Sequence, residues 1–470
     1  MEQDGRQTLE MADGSRVVVP RSLRSITAYV LTEQRDWFEE EIRFVRRALE
    51  PGQRAVDIGA NFGVFTLSMA RAVGPAGHVW AFEPASRTAD FLAQSIEVNG
   101  LANVSLRRMG ISARAGSAAL SLNEDPELNE IVRPGAAAAA SERIELCSLD
   151  ELDQRESWHP VDFLKIDAEG EESRIIEGAS AWLRRHSPLI QFEIKASSGS
   201  SLDAARRFAD RGYMPYRLVP GLGALVPFNF RDAVDPLQLN LFCCRPDRAA
   251  RLAARGLLVE PHDVPPSPGP DVLSPRNTDG SYDWSSSLVS FEYARGLLEV
   301  WRGGARTNER SQVERALALF SLARDPGVPV KERFLALRRS IELLEKASRV
   351  PEFMRLGSLA RVARAFGARA KAVASLDQLV RAAGTRGSFD PSEPFLAPCE
   401  RFEGVSPSAG IQDWLLAAAL EEFELASTYS SYYSASTSAI RLSKIASLGL
   451  GSEEMSRRLE LVRGRLAAGG

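Results

Sequence analysis

The sequence feature that most constrains this chain is the stretch AVDIGANFGVFT, at residues 55–66. A short apolar run ends near Asp57, a glycine-containing turn follows, and an apolar helical pattern begins after Gly63. Glycine at such a turn permits a positive φ and lets a ligand approach the backbone closely, while the first amides of the helix have no partner within it. The stretch therefore predicts a strand, a ligand-binding turn and a helix, in that order.

The residues of the turn narrow the kind of ligand that it binds. A dinucleotide-binding turn follows the pattern G-x-G-x-x-G, whereas this turn reads D-x-G-x-N-x-G. Asp57 precedes Gly59, and Asn61 stands where the second glycine of the dinucleotide pattern would be. A carboxylate repels a pyrophosphate, so the turn suits a cationic or hydroxyl-rich ligand.

A second acidic residue ends the next apolar run, HVWAFEP at residues 78–84. A carboxylate at the end of the second strand of a β-α-β unit can accept hydrogen bonds from both hydroxyls of a ribose, and Glu83 has that position. The pair of acids predicts a site for S-adenosylmethionine, as in a Rossmann-like methyltransferase. The predicted cofactor-binding residues are Asp57, Gly59, Asn61, Gly63 and Glu83. The alternative is that D-x-G is only a turn and Glu83 only a surface acid.

Composition excludes several classes of protein. The chain has 470 residues, 26% of them charged and 44% hydrophobic, which is ordinary for a soluble protein of two or three domains. The net charge is −4, and the sequence shows no basic cluster interleaved with aromatic residues, so we expect no nucleic acid as a partner.

The chain also lacks the sequence signals of export. The first ten residues have no apolar core of a signal peptide, and no uncharged apolar run reaches about 18 residues. We therefore expect a cytoplasmic protein without membrane insertion. Cys147, Cys243, Cys244 and Cys399 show no C-x-x-C spacing and are predicted to be buried thiols.

Alternating strand and helix patterns follow the first strand. Strands are predicted at residues 54–58, 78–83, 103–109, 161–167 and 189–194, which implies right-handed crossovers and a mainly parallel sheet. An antiparallel pair at residues 216–219 and 239–244 would complete the sheet at one edge. These elements predict an α/β domain over residues 51–245.

Shorter predictions concern the segments around these strands. Residues 1–50 predict a hairpin around Asp13-Gly14 and a helix over residues 33–49 whose acids form a solvated face. Residues 113–141 predict a loop-rich insertion, with an edge pair of strands, that lies over the mouth of the site.

The last part of the chain has a different composition. Residues 246–287 are rich in Pro and Ser and predict a linker. Residues 288–470 predict an all-α domain whose helix pairs resemble tetratricopeptide repeats. Stacked helices form concave surfaces, so this domain is predicted to bind the substrate or a protein partner. The alternative is a stabilising or dimerising appendage.

The segment KIDAEGEE, at residues 165–172, carries the candidate catalytic residues. A lysine inside a central strand is costly unless it is paired, and Asp167 and Glu193 are the predicted partners of Lys165. Ligands of open α/β sheets bind at the carboxyl ends of the strands, so Asp167, Lys165 and Glu169 are predicted to be catalytic.

Three roles remain open for Asp167. It can be a general base, a ligand of a divalent ion together with Glu169 and Glu193, or the structural partner of Lys165. A divalent metal is not expected, and no metal ligands are assigned. None of the four histidines lies on a predicted site loop, so a histidine base is not expected.

The motifs DIGANFG, FEP, SLDEL, KIDAEGEE and FEI, in this order, resemble the FkbM family of S-adenosylmethionine-dependent methyltransferases. The resemblance covers about residues 50–200. It implies a Rossmann-like class I methyltransferase fold and O-methylation of a hydroxyl on a sugar, glycan or polyketide. It also places the D-x-G-x-N-x-G residues on the cofactor loop, Glu83 on the ribose, and Lys165, Asp167, Glu169 and Glu172 on the signature segment of the family.

Two other functions compete with this one. A nicotinamide-dependent oxidoreductase is disfavoured by the D-x-G-x-N-x-G pattern. The second is a non-catalytic module that binds the cofactor and uses its helices as a scaffold for a protein partner.

Overall fold

The computed structural model describes residues 5–123, 125–132, 140–194, 202–264, 283–304, 307–348, 352–383, 390–408 and 410–467. The chain divides into two compact units. Unit 1 consists of Met1–Leu218, Pro227–Val234 and Gln238–Arg255, and unit 2 consists of Val219–Val226, Asp235–Leu237 and Gly256–Gly470. The division differs from the predicted boundary at residue 245, because two short segments before that residue group with the helical unit.

The strands are β1 (Arg6–Glu10), β2 (Arg16–Pro20), β3 (Arg54–Ile58), β4 (His78–Phe82), β5 (Val104–Arg107), β6 (Gly110–Ile111), β7 (Gly116–Ser121), β8 (Ser141–Cys147), β9 (Phe163–Ile166), β10 (Leu189–Glu193), β11 (Met214–Val219), β12 (Ala224–Pro227) and β13 (Asn240–Cys244). The first helices are α1 (Ile26–Gln34), α2 (Glu40–Ala48), α3 (Val64–Val73), α4 (Ser86–Val98), α5 (Leu149–Glu156), α6 (Glu172–Glu177), α7 (Ser180–His186), α8 (Asp203–Ala209) and α9 (Pro246–Ala254). The later helices are α10 (Ser285–Leu288), α11 (Leu298–Gly303), α12 (Asn308–Arg324), α13 (Val330–Ala347), α14 (Phe353–Phe366), α15 (Arg369–Ala383), α16 (Ile411–Ser427), α17 (Ala435–Leu448) and α18 (Glu453–Ala467).

Unit 1 is built on a mainly parallel sheet, as predicted. Its strands run in the order β11-β13-β10-β9-β3-β4-β5. The strands from β10 to β5 pair in parallel, and β13 pairs antiparallel with both β10 and β11. The predicted antiparallel pair at the sheet edge is therefore confirmed as β11 and β13, and β13 lies beside β10. The predicted Rossmann-like α/β fold is confirmed.

The predicted N-terminal hairpin is also confirmed, because β1 and β2 pair antiparallel across Asp13-Gly14. The single helix predicted over residues 33–49 is wrong in its extent. The chain forms α1 and α2 instead, and Arg35 ends α1 in the left-handed region with a φ of 59°. Asp36 then accepts two hydrogen bonds of 2.8 Å from the guanidinium of Arg46 on α2. This pairing fixes the break between the helices.

The insertion predicted over residues 113–141 forms a small sheet of its own, in the order β6-β8-β7. Residues 124 and 133–139 lie outside the described residues. A short 3₁₀ helix, Pro126–Leu128, is attached to α1 through its N-cap residue Asp125 and through Glu127. The Asp125 carboxylate accepts a 2.9 Å hydrogen bond from the Ile26 amide, and Glu127 accepts one from the Thr27 hydroxyl.

The helical segment after residue 172 is interrupted at Gly178, where α6 ends and α7 follows. A Cβ at Gly178 would lie 2.5 Å from the carbonyl oxygen of Ser112, so the backbone passes too close for a side chain. The sequence pattern could not reveal this contact because Ser112 is far away along the chain.

Unit 2 contains the long helices α12–α18, which confirms the all-α region predicted for residues 288–470. Its core holds stacked aromatic rings, with Tyr293 and Trp414 centred 4.8 Å apart. The Tyr293 hydroxyl donates a 2.7 Å hydrogen bond to the Phe395 carbonyl.

Part of the predicted linker is helical, since residues 246–254 form α9. Residues 265–282 lie outside the described residues.

The four cysteines are buried free thiols, as predicted. Among the described residues, no helix combines the length and the apolar character that a membrane span requires. The helical repeat remains a prediction.

One buried charge in unit 2 gives a test of how that unit is stabilised. Glu424 on α16 is fully buried and accepts hydrogen bonds from Ser438 at 2.7 Å and from Arg441 at 2.6 Å. Removing one partner of a buried ion pair costs about 3 kcal/mol or more. We expect Glu424→Gln to lower the free energy of unfolding of the helical unit by that amount in urea denaturation. The matched control is Asp377→Asn, which breaks an exposed pair with Arg381 and should cost less than about 0.5 kcal/mol. Equal losses in the two variants would contradict this prediction.

Candidate functional site

The turn after β3 closes over the end of β4. The amides of Gly59 and Ala60 both donate hydrogen bonds of 3.0 Å to the carbonyl of Phe82. Three residues of the turn have a positive φ, at 78° for Gly59, 48° for Asn61 and 95° for Gly63. Asn61 tolerates this conformation because its own side-chain oxygen accepts a 2.8 Å hydrogen bond from the Phe62 amide. The turn therefore has a fixed shape that its sequence explains.

Gly59 is needed for space as well as for its backbone conformation. A Cβ at this position would lie 1.7 Å from the carbonyl oxygen of Asp167. The backbones that follow β3 and β9 are thus in direct contact. The glycine joins the predicted cofactor turn to the predicted catalytic segment.

Glu83 links the turn to the end of β4. Its carboxylate accepts 2.9 Å hydrogen bonds from the amides of Asn61 and Ala85, one on each oxygen. Burial raises the pKa of Glu83 to about 7 even though both hydrogen bonds lower it, and the charge of Asp57 raises it further. The sequence-predicted acids at the ends of β3 and β4 are therefore close enough to interact.

Asp57 lies deeper than the sequence suggested. Its side chain is 0% exposed, and one oxygen accepts a 2.6 Å hydrogen bond from the Thr66 hydroxyl on α3. The other oxygen is 3.9 Å from the ammonium of Lys165 and has no hydrogen-bond partner among the described residues. Burial raises the pKa of Asp57, and the charge of Lys165 opposes that rise.

Lys165 is almost fully buried in β9. Its ammonium contacts Asp167 at 2.8 Å and lies 4.8 Å from the centre of the Phe65 ring. Burial alone would lower the pKa of Lys165, but the charges of Asp167, Asp57 and Glu39 raise it above its ordinary value. The predicted pairing with Asp167 is confirmed, and Asp57 is the second carboxylate beside Lys165, where the sequence had predicted Glu193.

Asp167 also belongs to a group of three carboxylates at the ends of β9 and β10. One carboxylate oxygen from each of Asp167, Glu169 and Glu193 lies within 4.8 Å of the others. All three side chains are partly exposed. Glu172 is not part of this group. Its carboxylate accepts a hydrogen bond of 3.1 Å from the Gly170 amide in the turn.

Sequence reasoning missed Glu39, which it assigned to a solvated helix face. Glu39 precedes α2 and accepts hydrogen bonds of 3.0 Å from Trp37 and 2.8 Å from Asn240. Burial raises the pKa of Glu39, and the charge of Lys165 lowers it. The run of three glutamates at residues 39–41 gave no signal that the first one turns inward.

Glu127, in the insertion, was missed as well. Burial raises the pKa of Glu127 to about 8, and the charges of Asp125, Asp167 and Glu39 raise it further. The insertion therefore lies within electrostatic reach of Asp167, which agrees with its predicted place over the site.

The site has two chemically distinct parts. The turn after β3 and Glu83 offer backbone amides and a carboxylate suited to hydroxyl groups. The ends of β9 and β10 offer several carboxylates around a single buried ammonium, which favours a cationic or hydroxyl-bearing ligand.

Residues 57–215 match the family model described as a Methyltransferase FkbM domain. The match covers about a third of the 470 residues. It confirms the family that the sequence motifs predicted and identifies a methyltransferase domain in this part of the chain. A comparison with curated proteins found no match.

Several solved structures are similar to this one at low sequence identity. A putative rRNA methylase from Clostridium thermocellum is 11% identical over 45% of this chain and 95% of that protein, with a TM-score of 0.29. A methyltransferase FkbM from Methylobacillus flagellatus is 14% identical over 43% of this chain and 50% of that protein, with a TM-score of 0.29. An S-adenosylmethionine-dependent O-methyltransferase from Thermotoga maritima is 15% identical over 51% of this chain and 77% of that protein, with a TM-score of 0.27.

The contact at Gly59 can be tested against a matched glycine. Gly52 has a similar φ of 87°, but a Cβ there would meet nothing within 4 Å. We expect Gly52→Ala to cost about 1–2 kcal/mol of unfolding free energy, the cost of the left-handed conformation. Gly59→Ala should cost at least about 2 kcal/mol more, because its Cβ collides with the Asp167 carbonyl. Urea denaturation of both variants measures the difference, and equal costs would show that the contact is absent in solution.

Proposed function

We propose that this chain, through its FkbM methyltransferase domain, transfers a methyl group from S-adenosylmethionine to a hydroxyl of a sugar, glycan or polyketide-type acceptor. The observation that carries the proposal is the carboxylate of Glu83, which is fixed at the carboxyl end of the sheet by the Asn61 amide in the turn after β3 and by the Ala85 amide after β4. Ligands of open α/β sheets bind at this end.

Glu83 keeps the capacity that ribose recognition needs. A carboxylate has about four lone-pair sites, two on each oxygen. The amides of Asn61 and Ala85 occupy one site on each oxygen. One site on each oxygen therefore remains for the two hydroxyls of a ribose, which supports the predicted role of Glu83.

The other cofactor-binding residues act through the shape of the turn. Asp57 is fully buried and is bonded to Thr66 in the first turn of α3, so we assign it the positioning of that helix. The first amides of α3 have no side-chain cap, and such amides suit the carboxylate of the amino-acid part of the cofactor. Gly59, Asn61 and Gly63 supply the backbone conformation that brings these amides to the ligand.

The acceptor is proposed to lie at the ends of β9 and β10. Methyl transfer from a sulfonium is an in-line displacement, in which the enzyme mainly positions the acceptor and assists the loss of its proton. The Asp167 side chain is 40% exposed and is held by Lys165 at 2.8 Å. We assign Asp167 the orientation and deprotonation of the hydroxyl, Lys165 the positioning of Asp167, and Glu169 a place beside the acceptor.

The all-α region at residues 288–470 is proposed to bind the acceptor or a protein partner. Stacked helices form extended surfaces that suit such binding.

The raised pKa of Glu83 predicts how cofactor binding depends on pH. The ionised carboxylate accepts hydrogen bonds from both ribose hydroxyls, whereas the protonated form has less capacity to accept. Since the pKa is about 7, affinity for S-adenosylhomocysteine should rise about tenfold between pH 6 and pH 8 in calorimetry. Glu83→Gln should bind S-adenosylhomocysteine more weakly, by about 1–3 kcal/mol, and its affinity should not change with pH.

The same pKa has the opposite effect on stability. The folded state binds the proton of Glu83 more tightly than the unfolded state does. The contribution to stability is thus present below about pH 4.5 and is lost as the pH rises through about 7.

Cofactor affinity that does not change with pH in the wild-type protein would contradict the ribose assignment.

Asp167→Asn separates binding from turnover. We expect the variant to keep its affinity for S-adenosylhomocysteine within about twofold. Methyl transfer should fall by about 10²-fold or more, because the variant lacks the carboxylate that takes the proton of the acceptor hydroxyl. Transfer of tritiated methyl from S-adenosylmethionine into an extract of a strain that lacks the gene measures turnover. The control is Glu177→Gln, an exposed residue on α6. Equal turnover in Asp167→Asn and the wild type would remove Asp167 from this role.

A further inference from the structure

The strand register brings the polar residues of the site into two rows on one face of the sheet. Asp57, Lys165 and Gln191 are register partners on β3, β9 and β10. Side chains two residues apart on a strand share a face, so Asp167 and Glu193 form a second row, one step nearer the carboxyl ends. The second row continues to Asn240, which is the register partner of Glu193 on β13.

The second row and the turn after β9 bring carboxylate oxygens together. One oxygen from each of Asp167, Glu169 and Glu193 lies within 4.8 Å of the other two. Three points at that spacing can all lie close to the oxygen distances of Ca²⁺, which are about 2.3–2.6 Å, and a small closure brings them to those of Mg²⁺.

A buried amide beneath these carboxylates independently indicates a polar ligand. Gln191 is 0% exposed, and neither its side-chain oxygen nor its side-chain nitrogen has a hydrogen-bond partner among the described residues. It lies on the same face as Glu193 and beside Lys165. Buried amides are nearly always satisfied by protein, water or ligand. A hydrated cation above Gln191 would supply the missing partner, since a metal-bound water can donate to the amide oxygen.

Lys165, in the first row, contacts Asp167 through only one of its two carboxylate oxygens. The ammonium of Lys165 contacts one oxygen of Asp167 at 2.8 Å and lies 3.9 Å from Asp57. The second oxygen of Asp167 faces no other cation in the ion pairs of the described residues. Asp167 can therefore bind Lys165 through one oxygen and a metal ion through the other.

We propose that Asp167, Glu169 and Glu193 bind a divalent cation, with Gln191 bonded to its water shell. The donors are all oxygens, which selects hard ions such as Mg²⁺, Mn²⁺ or Ca²⁺ over zinc. The role of the ion rests on the proposed function, because it would bind the acceptor hydroxyl and favour loss of its proton. Asp167 would still accept that proton, because Lys165 and the ion would use only two of the about four lone-pair sites of its carboxylate. Binding of the ion itself does not depend on that function.

A second group of possible ligands serves as the control. Glu260, His262 and Asp263 in unit 2 also lie within 4.8 Å of one another. The His262 side chain is 72% exposed, and Asp263 is paired with Lys331 at 2.6 Å. This surface group has no buried polar neighbour that would indicate a ligand, so we make no proposal for it.

The experiment titrates Mn²⁺ into the full chain after treatment with a chelator. Calorimetry and the electron paramagnetic resonance signal of free Mn²⁺ report binding. We expect about one ion per chain with a Kd of about 1–100 µM. Glu193→Gln and Asp167→Asn should each weaken binding at least about tenfold, and Gln191→Met should weaken it severalfold. The double variant Glu260→Gln/His262→Ala should bind as the wild type does.

Circular dichroism and thermal melting establish that each variant is folded. If Glu193→Gln does not fold, Glu169→Gln takes its place, because Glu169 lies in the exposed turn. Absence of stoichiometric Mn²⁺ binding, or binding that survives both ligand variants, would overturn the proposal. Unchanged affinity in Gln191→Met would remove the buried amide from the site and with it the second observation.

Titration with S-adenosylhomocysteine in the metal-free protein separates this proposal from the proposed function. Binding of the cofactor without binding of Mn²⁺ would reject only the metal site. Binding of Mn²⁺ without binding of the cofactor would reject the methyltransferase assignment and leave the metal site standing.

Discussion

The burial of one ammonium group, on Lys165, determines how the rest of the site is arranged. A buried charge is tolerated only when it is paired, and here the compensating carboxylates come from three different elements. Asp57 lies on β3, Asp167 follows β9, and Glu39 precedes α2. Because Asp57 and Glu39 are distant from Lys165 in sequence, full compensation of the ammonium requires the sheet and the N-terminal helices to be assembled together.

This arrangement separates two sides of the carboxyl end of the sheet. On the side of β3 and β4, the backbone amides of Asn61 and Ala85 bind Glu83 and leave lone pairs for hydroxyls. On the side of β9 and β10, the carboxylates of Asp167, Glu169 and Glu193 lie together, which suits an acceptor or a cation. Gly59 holds the two sides together, since its missing side chain allows the backbone to touch the carbonyl of Asp167. A donor on one side and an acceptor on the other would therefore be held at a short and fixed separation.

The sequence predicted what depends on neighbouring residues and missed what depends on packing. The strand–turn–helix around Gly59 and the ion pair of Lys165 with Asp167 follow from local patterns, because residues two apart on a strand share a face. Glu39 was missed because Asn240 and Lys165, which interact with it, come from other elements. Gln191 was missed because its burial depends on the strands that pack beside it. Glu39 looked like one of three surface acids until Asn240, about 200 residues later, was placed beside it. The break between α1 and α2 was missed for the same reason, since its cause is the pairing of Asp36 with Arg46.

The excess of carboxylates has a physical consequence that joins the two sides of the site. Burial raises the pKa values of Glu83 and Glu127 to about 7 and about 8, with further increases from neighbouring acids. Part of the negative charge can thus be neutralised by protons near neutral pH. A positively charged ligand neutralises the same charge without protonation, and the sulfonium of S-adenosylmethionine carries such a charge. Each cation that binds near these carboxylates would lower their pKa values, so binding of the cofactor and binding of a metal ion would each release protons.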